Sequence, residues 1–233
     1  MFGNAPKEMW QKWIQADEKS RIPLACRSML VEVGDKKILF EAGVGAFFEP
    51  KLAERYGIQE PERHLLLESL NKIGILQEDI DFVVLSHLHF DHAGGLMPPY
   101  KDILAGRDDL LFTNATYIVG KDAWQRALNP HPRDRASFIP AMIEKLEASN
   151  RLKILDTNKW QEVADVEFFI SNGHTPGQYI SVIKGKNKKI AFCGDLIPGK
   201  YWMHIPITMG YDRYPEMIID EKKDFYQILE ADK

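Results

Sequence analysis

Residues 86–95 read Ser86-His87-Leu88-His89-Phe90-Asp91-His92-Ala93-Gly94-Gly95, with three histidines and one aspartate between His87 and His92. They follow the apolar run Ile80-Asp81-Phe82-Val83-Val84-Leu85, so a strand ends in a loop dense in ligand atoms. Imidazole nitrogen and carboxylate oxygen form the donor set that suits zinc and similar divalent ions. His87 and His89, two residues apart on an extended loop, can point to one ion. Asp91 and His92 are offset along the chain and can face a second ion nearby. The stretch reads as a metal site.

Two further constellations share its design, a strand end followed by a glycine turn. Asn172-Gly173-His174-Thr175-Pro176-Gly177 exposes one histidine, and Phe192-Cys193-Gly194-Asp195 delivers one aspartate. Taken alone, His174 also fits a loop histidine that caps a turn, and Asp195 fits a helix N-cap or turn residue. Upstream, Glu41-Ala42-Gly43-Val44-Gly45 closes a strand with two glycines suited to a tight backbone turn near a site.

The bulk of the chain is ordinary for a globular protein. It has 233 residues, 45% of them apolar and 27% charged, enough to bury a core without staples. A net charge of -4 argues against a non-specific nucleic-acid binder. The two cysteines, Cys26 and Cys193, read as buried free thiols. The amino terminus lacks the apolar core of a signal peptide and no run approaches a membrane span, so the expected location is cytoplasmic.

Periodicity predicts a helix over residues 5–18, from Met9, Trp10, Trp13 and Ile14. Residues 29–33 and 37–41 flank Gly34-Asp35 as a β-hairpin. Helices are predicted over 50–56, 61–73, 122–128, 138–146 and 214–229, and strands over 111–119, 152–155, 166–170, 179–183 and 189–193. Residues 129–150 read as a helical insertion that covers the site. Strands gather at both ends with helices between, which favours sheets packed together over regular β-α-β alternation. The expectation is one domain over residues 1–233.

His87-Leu88-His89-Phe90-Asp91-His92, then Gly173-His174, then Gly194-Asp195 resemble, in that order, the motifs of the metallo-β-lactamase superfamily. Glu41-Ala42-Gly43 stands where many members carry Asp-Thr-Gly. The resemblance implies an α+β fold, a four-layer αββα sandwich, here incomplete at both termini. It also implies two divalent metal ions: zinc, with iron or manganese as alternatives. His87, His89 and His174 would hold the first ion, Asp91 and His92 the second, and Asp195 would bridge both. The implied reaction is hydrolysis by a metal-bridging hydroxide, with Asp91 passing a proton to the leaving group. Relatives supply one more histidine to the second ion, some forty-odd residues after the bridging aspartate; either this sequence stops short of it or the second site is completed differently.

Several branches of that superfamily differ from this chain. Asp195 separates it from lactamases that use a cysteine at the second site, and intact His89 from the flavodiiron branch. The acidic balance disfavours nucleases, and the acidic tail a glyoxalase-type thioesterase. Gly173-His174-Thr175-Pro176-Gly177 and Tyr211-Asp212 look most like the acyl-homoserine lactonases, the quorum-quenching enzymes that open a lactone ring. Tyr211 and Tyr201 read as candidates for stabilising an oxyanion or binding substrate, or as buried aromatic packing. The alternatives are another ester or phosphotriester hydrolase of this fold, or a metal-binding, non-catalytic relative. Phe47, Phe48, Met97, Trp202 and Met209 read either as an apolar substrate wall or as plain core. His64 reads as structural or exposed, His131 as a surface residue, and His204 as a pocket candidate. The expected partners are a small-molecule substrate and a second copy in a homodimer, with no nucleic acid and no membrane.

Overall fold

The computed structural model describes residues 1–231. The chain opens with α1 (Lys7–Trp10), the strands β1 (Met29–Val33) and β2 (Lys36–Phe40), and the helices α2 (Pro50–Tyr56) and α3 (Leu65–Lys72). Next come β3 (Phe82–Leu85), α4 (Phe90–Ala93), α5 (Tyr100–Leu104), β4 (Thr116–Gly120), α6 (Lys121–Leu128) and α7 (Pro140–Ala148). The last elements are β5 (Leu152–Leu155), β6 (Val166–Ser171), β7 (Gln178–Lys184), β8 (Lys189–Phe192) and α8 (Pro215–Ala231). Two compact units result, one formed by Cys26–Thr157 and one by Met1–Ala25 with Asn158–Lys233.

In the unit Cys26–Thr157, β1 and β2 form the expected hairpin, with Val33 opposite Lys36. Gly34 takes φ 63°, the left-handed backbone that a two-residue hairpin turn requires. From β2 onward the strands run parallel in the order β2-β3-β4-β5. Each parallel pair is joined through helices, so this sheet is built from β-α-β crossovers, contrary to the expectation from strand order. Helices α2, α3, α6 and α7 match the expected ones; the parallel pairing joins segments distant in the chain, which no local pattern links. Parallel strands are covered on both faces and read as continuous apolar runs. Val83, Val84 and Leu85 are accordingly fully buried.

Within residues 129–150 the helical parts are a 3-10 turn at Arg135–Ser137 and α7. Phe138, Met142, Ile143 and Leu146 sink into the same core as Leu39, Val83, Leu85 and Trp124.

In the other unit, β6-β7-β8 form an antiparallel sheet. Ile218 and Phe225 of α8 pack with Ile180, Val182 and Leu196. The helix expected over residues 5–18 shortens to α1. Ring stacking replaces a helical stripe: Phe2 lies 4.3 Å from Trp202 and 5.4 Å from Trp10, and Trp13 stacks on Tyr201. Helix α8 continues through Glu230 and Ala231, where the sequence reading ended it at residue 229. Asp232 and Lys233 lie outside the described residues.

Cys26 is exposed and Cys193 half-buried, which corrects the expectation of two buried thiols. Cys26 sits in the irregular stretch before β1, outside the sheet. Among the described residues, no helix is long and apolar enough to cross a membrane.

Candidate metal centre

The first group of ligand candidates sits at the carboxyl end of β3. His87 and His89 follow that strand directly, and Asp91 and His92 lie in the short helix α4. His87 Nε2 and His89 Nδ1 face each other at 2.9 Å, and Ser86 Oγ lies 2.9 Å from His87 Nδ1. The His87 and His92 rings are 4.1 Å apart between centroids. His92 Nε2 looks toward Asp91 Oδ2 at 3.7 Å. Phe138 stands edge-on to the His89 ring at 5.0 Å.

The residue that follows β2 holds the group in place. Glu41, just past β2, is buried; its Oε1 accepts the Ser86 N–H at 2.6 Å and its Oε2 lies 3.1 Å from His92 Nδ1. Its φ of 65° is a left-handed backbone on a non-glycine residue, a conformation that costs about 1–3 kcal/mol and clusters at functional sites. The backbones on either side are locked together. Ala42 N–H donates to His92 O at 2.8 Å, and Gly95 N–H to Gly43 O at 2.9 Å. A Cβ on Gly95 would stand 2.0 Å from Ala42 O, so only glycine fits there.

His64 caps the amino end of α3, accepting the Leu67 N–H at Nδ1. Its Nε2 lies 3.0 Å from Gly95 O, which assigns that nitrogen the proton. Burial pushes the His64 pKa below its ordinary value, the bond to Gly95 O opposing this. His64 is therefore structural, as expected, and what it holds is the last glycine of the histidine loop.

The second group lies at the edge of the antiparallel sheet. His174 sits in the turn between β6 and β7, and Asp195 in a 3-10 turn after β8. His174 Nε2 stands 3.2 Å from Asp195 Oδ2. On the other side of the ring, Nδ1 lies 3.0 Å from Asp212 Oδ1, while Asp212 Oδ2 accepts the Met209 N–H at 2.6 Å. His174 and Asp212 are both buried.

Both groups fit a divalent ion by the chemistry of their donors. Two ligand atoms on a tetrahedral zinc with bonds of about 2.0–2.1 Å are about 3.3 Å apart. The spacing of 2.9 Å within His87–His89 and 3.2 Å within His174–Asp195 falls near that edge. His92 and His174 each have Nδ1 tied to a buried carboxylate, and their Nε2 atoms look toward Asp91 and Asp195 respectively. A carboxylate behind a ligating histidine orients the ring and raises its basicity. The sequence pointed to Glu41 and Asp212 only by position, as a strand-end acid before glycine and as the neighbour of Tyr211. Neither local pattern indicated which histidine each one holds.

Tyr211 is 64% exposed. The Tyr201 hydroxyl donates to Trp13 O and its ring stacks there. His204 and His131 are exposed. Met97 belongs to the core of the first unit, and Trp202 and Met209 to that of the second. Phe47 and Phe48 join Tyr56 and Phe90 in an aromatic group beside the histidine loop.

The family model described as the metallo-beta-lactamase superfamily matches residues 21–98, and the one described as anti-Pycsar protein Apyc1 matches residues 64–219. An N-acyl homoserine lactonase of Bacillus thuringiensis is 22% identical over 227 residues, covering 91% of this chain and 78% of the lactonase. Ribonuclease TTHA0252 of Thermus thermophilus is 26% identical over 168 residues, covering 72% of this chain and 34% of the ribonuclease. The chain thus spans about a third of the ribonuclease's length. Among solved structures, a probable metal-dependent hydrolase from Staphylococcus aureus superposes with a TM-score of 0.85 at 28% identity, over 96% of this chain and 76% of that one.

Proposed function

Since the chain belongs to the metallo-β-lactamase superfamily and, over residues 64–219, to the family of anti-Pycsar protein Apyc1, we propose that it is a dinuclear metal-dependent hydrolase that opens a lactone ring. Its α+β fold is the metallo-β-lactamase fold. The observation that carries the reading is the paired carboxylate–histidine arrangement, Glu41 behind His92 and Asp212 behind His174, which presents Nε2 of each ring for ligation.

In this reading His87, His89 and His174 would be ligands of the first ion, Asp91 and His92 of the second, and Asp195 would be a ligand shared by them. Zinc bound there would lower the pKa of water and polarise the carbonyl of the substrate. Asp91 carries a proton to the oxygen that leaves as the ring opens. Tyr211 donates its hydroxyl to the negative oxygen that develops on the carbonyl carbon. The protein would act on a small-molecule substrate as a homodimer. The lactonase relative supports lactone opening, since it matches over most of its own length.

A second reading is hydrolysis of a phosphoester, favoured by the match to a ribonuclease. One experiment separates the two. The protein is stripped with a chelator, reloaded with zinc, and assayed on N-acyl homoserine lactones and on phosphodiesters. The proposal expects two zinc ions per chain and zinc-dependent lactone turnover. Zinc-dependent cleavage of phosphodiesters alone selects the second reading, and zinc uptake with no turnover of either makes the chain a non-catalytic metal binder.

A further inference from the structure

The turn that carries His174 is gripped from one side by a single carboxylate. Glu221 of α8 accepts the Ser171 hydroxyl at 2.7 Å, the Asn172 N–H at 2.7 Å and the Gly173 N–H at 3.1 Å. Two consecutive backbone N–H groups converge on it. The fit leaves no room for adjustment. A Cβ on Gly173 would lie 2.7 Å from the backbone nitrogen of Ile218, so the turn is pressed onto the first turn of α8. The approach to that helix closes the other side, with Tyr214 N–H donating to Gly173 O at 2.8 Å and Arg213 N–H to His174 O at 3.2 Å.

The next residue extends the same grip. Lys222 is fully buried and donates to Trp202 O at 2.7 Å and to Ile207 O at 2.6 Å. The segment it holds leads to Met209, whose N–H fixes Asp212, the carboxylate on His174 Nδ1. Glu221 thus sets the backbone of His174, and Lys222 supports the acid that sets its ring.

We propose that Glu221 is a positioning residue for His174, holding the β6–β7 turn so that the imidazole meets Asp212 and Asp195 at ligand geometry. This rests on the reading of His174 as a metal ligand. Replacing Glu221 with glutamine keeps the shape but removes one acceptor oxygen and turns an amide N–H toward the backbone donors. The turn then loosens while α8 keeps its packing through Ile218 and Phe225.

The test uses the full chain labelled with 15N at histidine, as wild type, Glu221→Gln and Glu221→Ala. In the chelator-treated protein, Glu221→Gln should shift the His174 Nδ1 resonance and speed exchange of its proton, leaving those of His87, His89 and His92 in place. Zinc affinity, read by competition with a chromophoric chelator, should fall about 10–100-fold, as for other losses behind a ligating histidine. In a His174→Ala background the same substitution should cost no further affinity. An unchanged His174 resonance, or an equal loss of affinity with and without His174, overturns the proposal. Wild-type protein that takes up no zinc instead overturns the metal reading, while the resonance of His174 still decides the role of Glu221. If Glu221→Ala fails to fold, Glu221→Gln alone carries the comparison.

Discussion

Glu41 Oε2 lies 3.1 Å from Nδ1 of His92, and the other oxygen of the same carboxylate takes the Ser86 N–H at 2.6 Å. One buried acid therefore spans both ends of the histidine loop. Glu41→Ala leaves the Ser86 N–H and the His92 ring without this acceptor inside the core. Each abandoned buried donor costs about 1–3 kcal/mol. Urea denaturation should show that loss, and zinc affinity should fall about 10–100-fold. A variant with wild-type stability and affinity refutes the role given to Glu41.

Gly95→Ala drives a methyl against Ala42 O, a backbone atom that cannot rotate away. Overpacking of this kind costs about 1–3 kcal/mol or more. Gly74→Ala is the comparison, since a Cβ there meets nothing within 4 Å and only its φ of 75° is strained. Denaturation midpoints should rank wild type above Gly74→Ala and Gly74→Ala above Gly95→Ala; equal midpoints for the two variants disprove the clash.

His64 makes stability depend on mild acid. Burial lowers its pKa in the folded chain below the value of 6.5. As pH falls through 6.5 the unfolded chain takes up a proton that the folded chain refuses. The stabilisation is whole above 6.5 and is lost as pH drops toward the folded pKa. Unfolding free energies measured from pH 7.5 to 5 should decline more steeply for wild type than for His64→Leu. Parallel curves would remove His64 as the cause.

Lys222 acts in the alkaline range with the same sign. Burial holds its ammonium down to about 8 from 10.5, with Asp212 pulling the other way. Between those values the unfolded chain keeps a proton that the folded chain has released, so stability from this group rises with pH across the window. Lys222→Met strands the carbonyls of Trp202 and Ile207, and should be less stable than wild type by a margin that widens from pH 8 to 10.5. A margin independent of pH contradicts the shift.

Metal removal should destabilise the protein as well as silence it. Free zinc at a hundred times Kd adds about 2.7 kcal/mol to a fold that binds it. Chelation should lower the melting temperature accordingly. His89→Ala and Asp91→Ala should abolish turnover while the stripped proteins melt close to stripped wild type. Full activity in either variant refutes the ligand assignment.

How much of this was legible in sequence depends on how far apart the partners lie. The loop from Ser86 to Gly95 announced its donors because they crowd into one turn after an apolar strand, and the hairpin at Gly34 announced itself by two residues. Helix α2 was equally plain, with Pro50 at its start and Gly57 at φ 70° after its end. The β-α-β pairing of β2 through β5 was not, because parallel register joins segments such as Val119 and Ile154 that no local pattern links. The helix expected over residues 5–18 is short for a related reason: Phe2 and Trp13 answer to Trp202 and Tyr201, nearly two hundred residues away.

The sequence by itself determined which atoms can ligate, since imidazole and carboxylate chemistry travels with the residue. Only the tertiary structure decided how those atoms are aimed. Glu41 reaches His92, His64 reaches Gly95, and Glu221 reaches the turn of His174 across intervals of about thirty to fifty residues. Such contacts are selected by packing and by the cost of leaving buried polar groups unmet, and neither is written in any one stretch of chain.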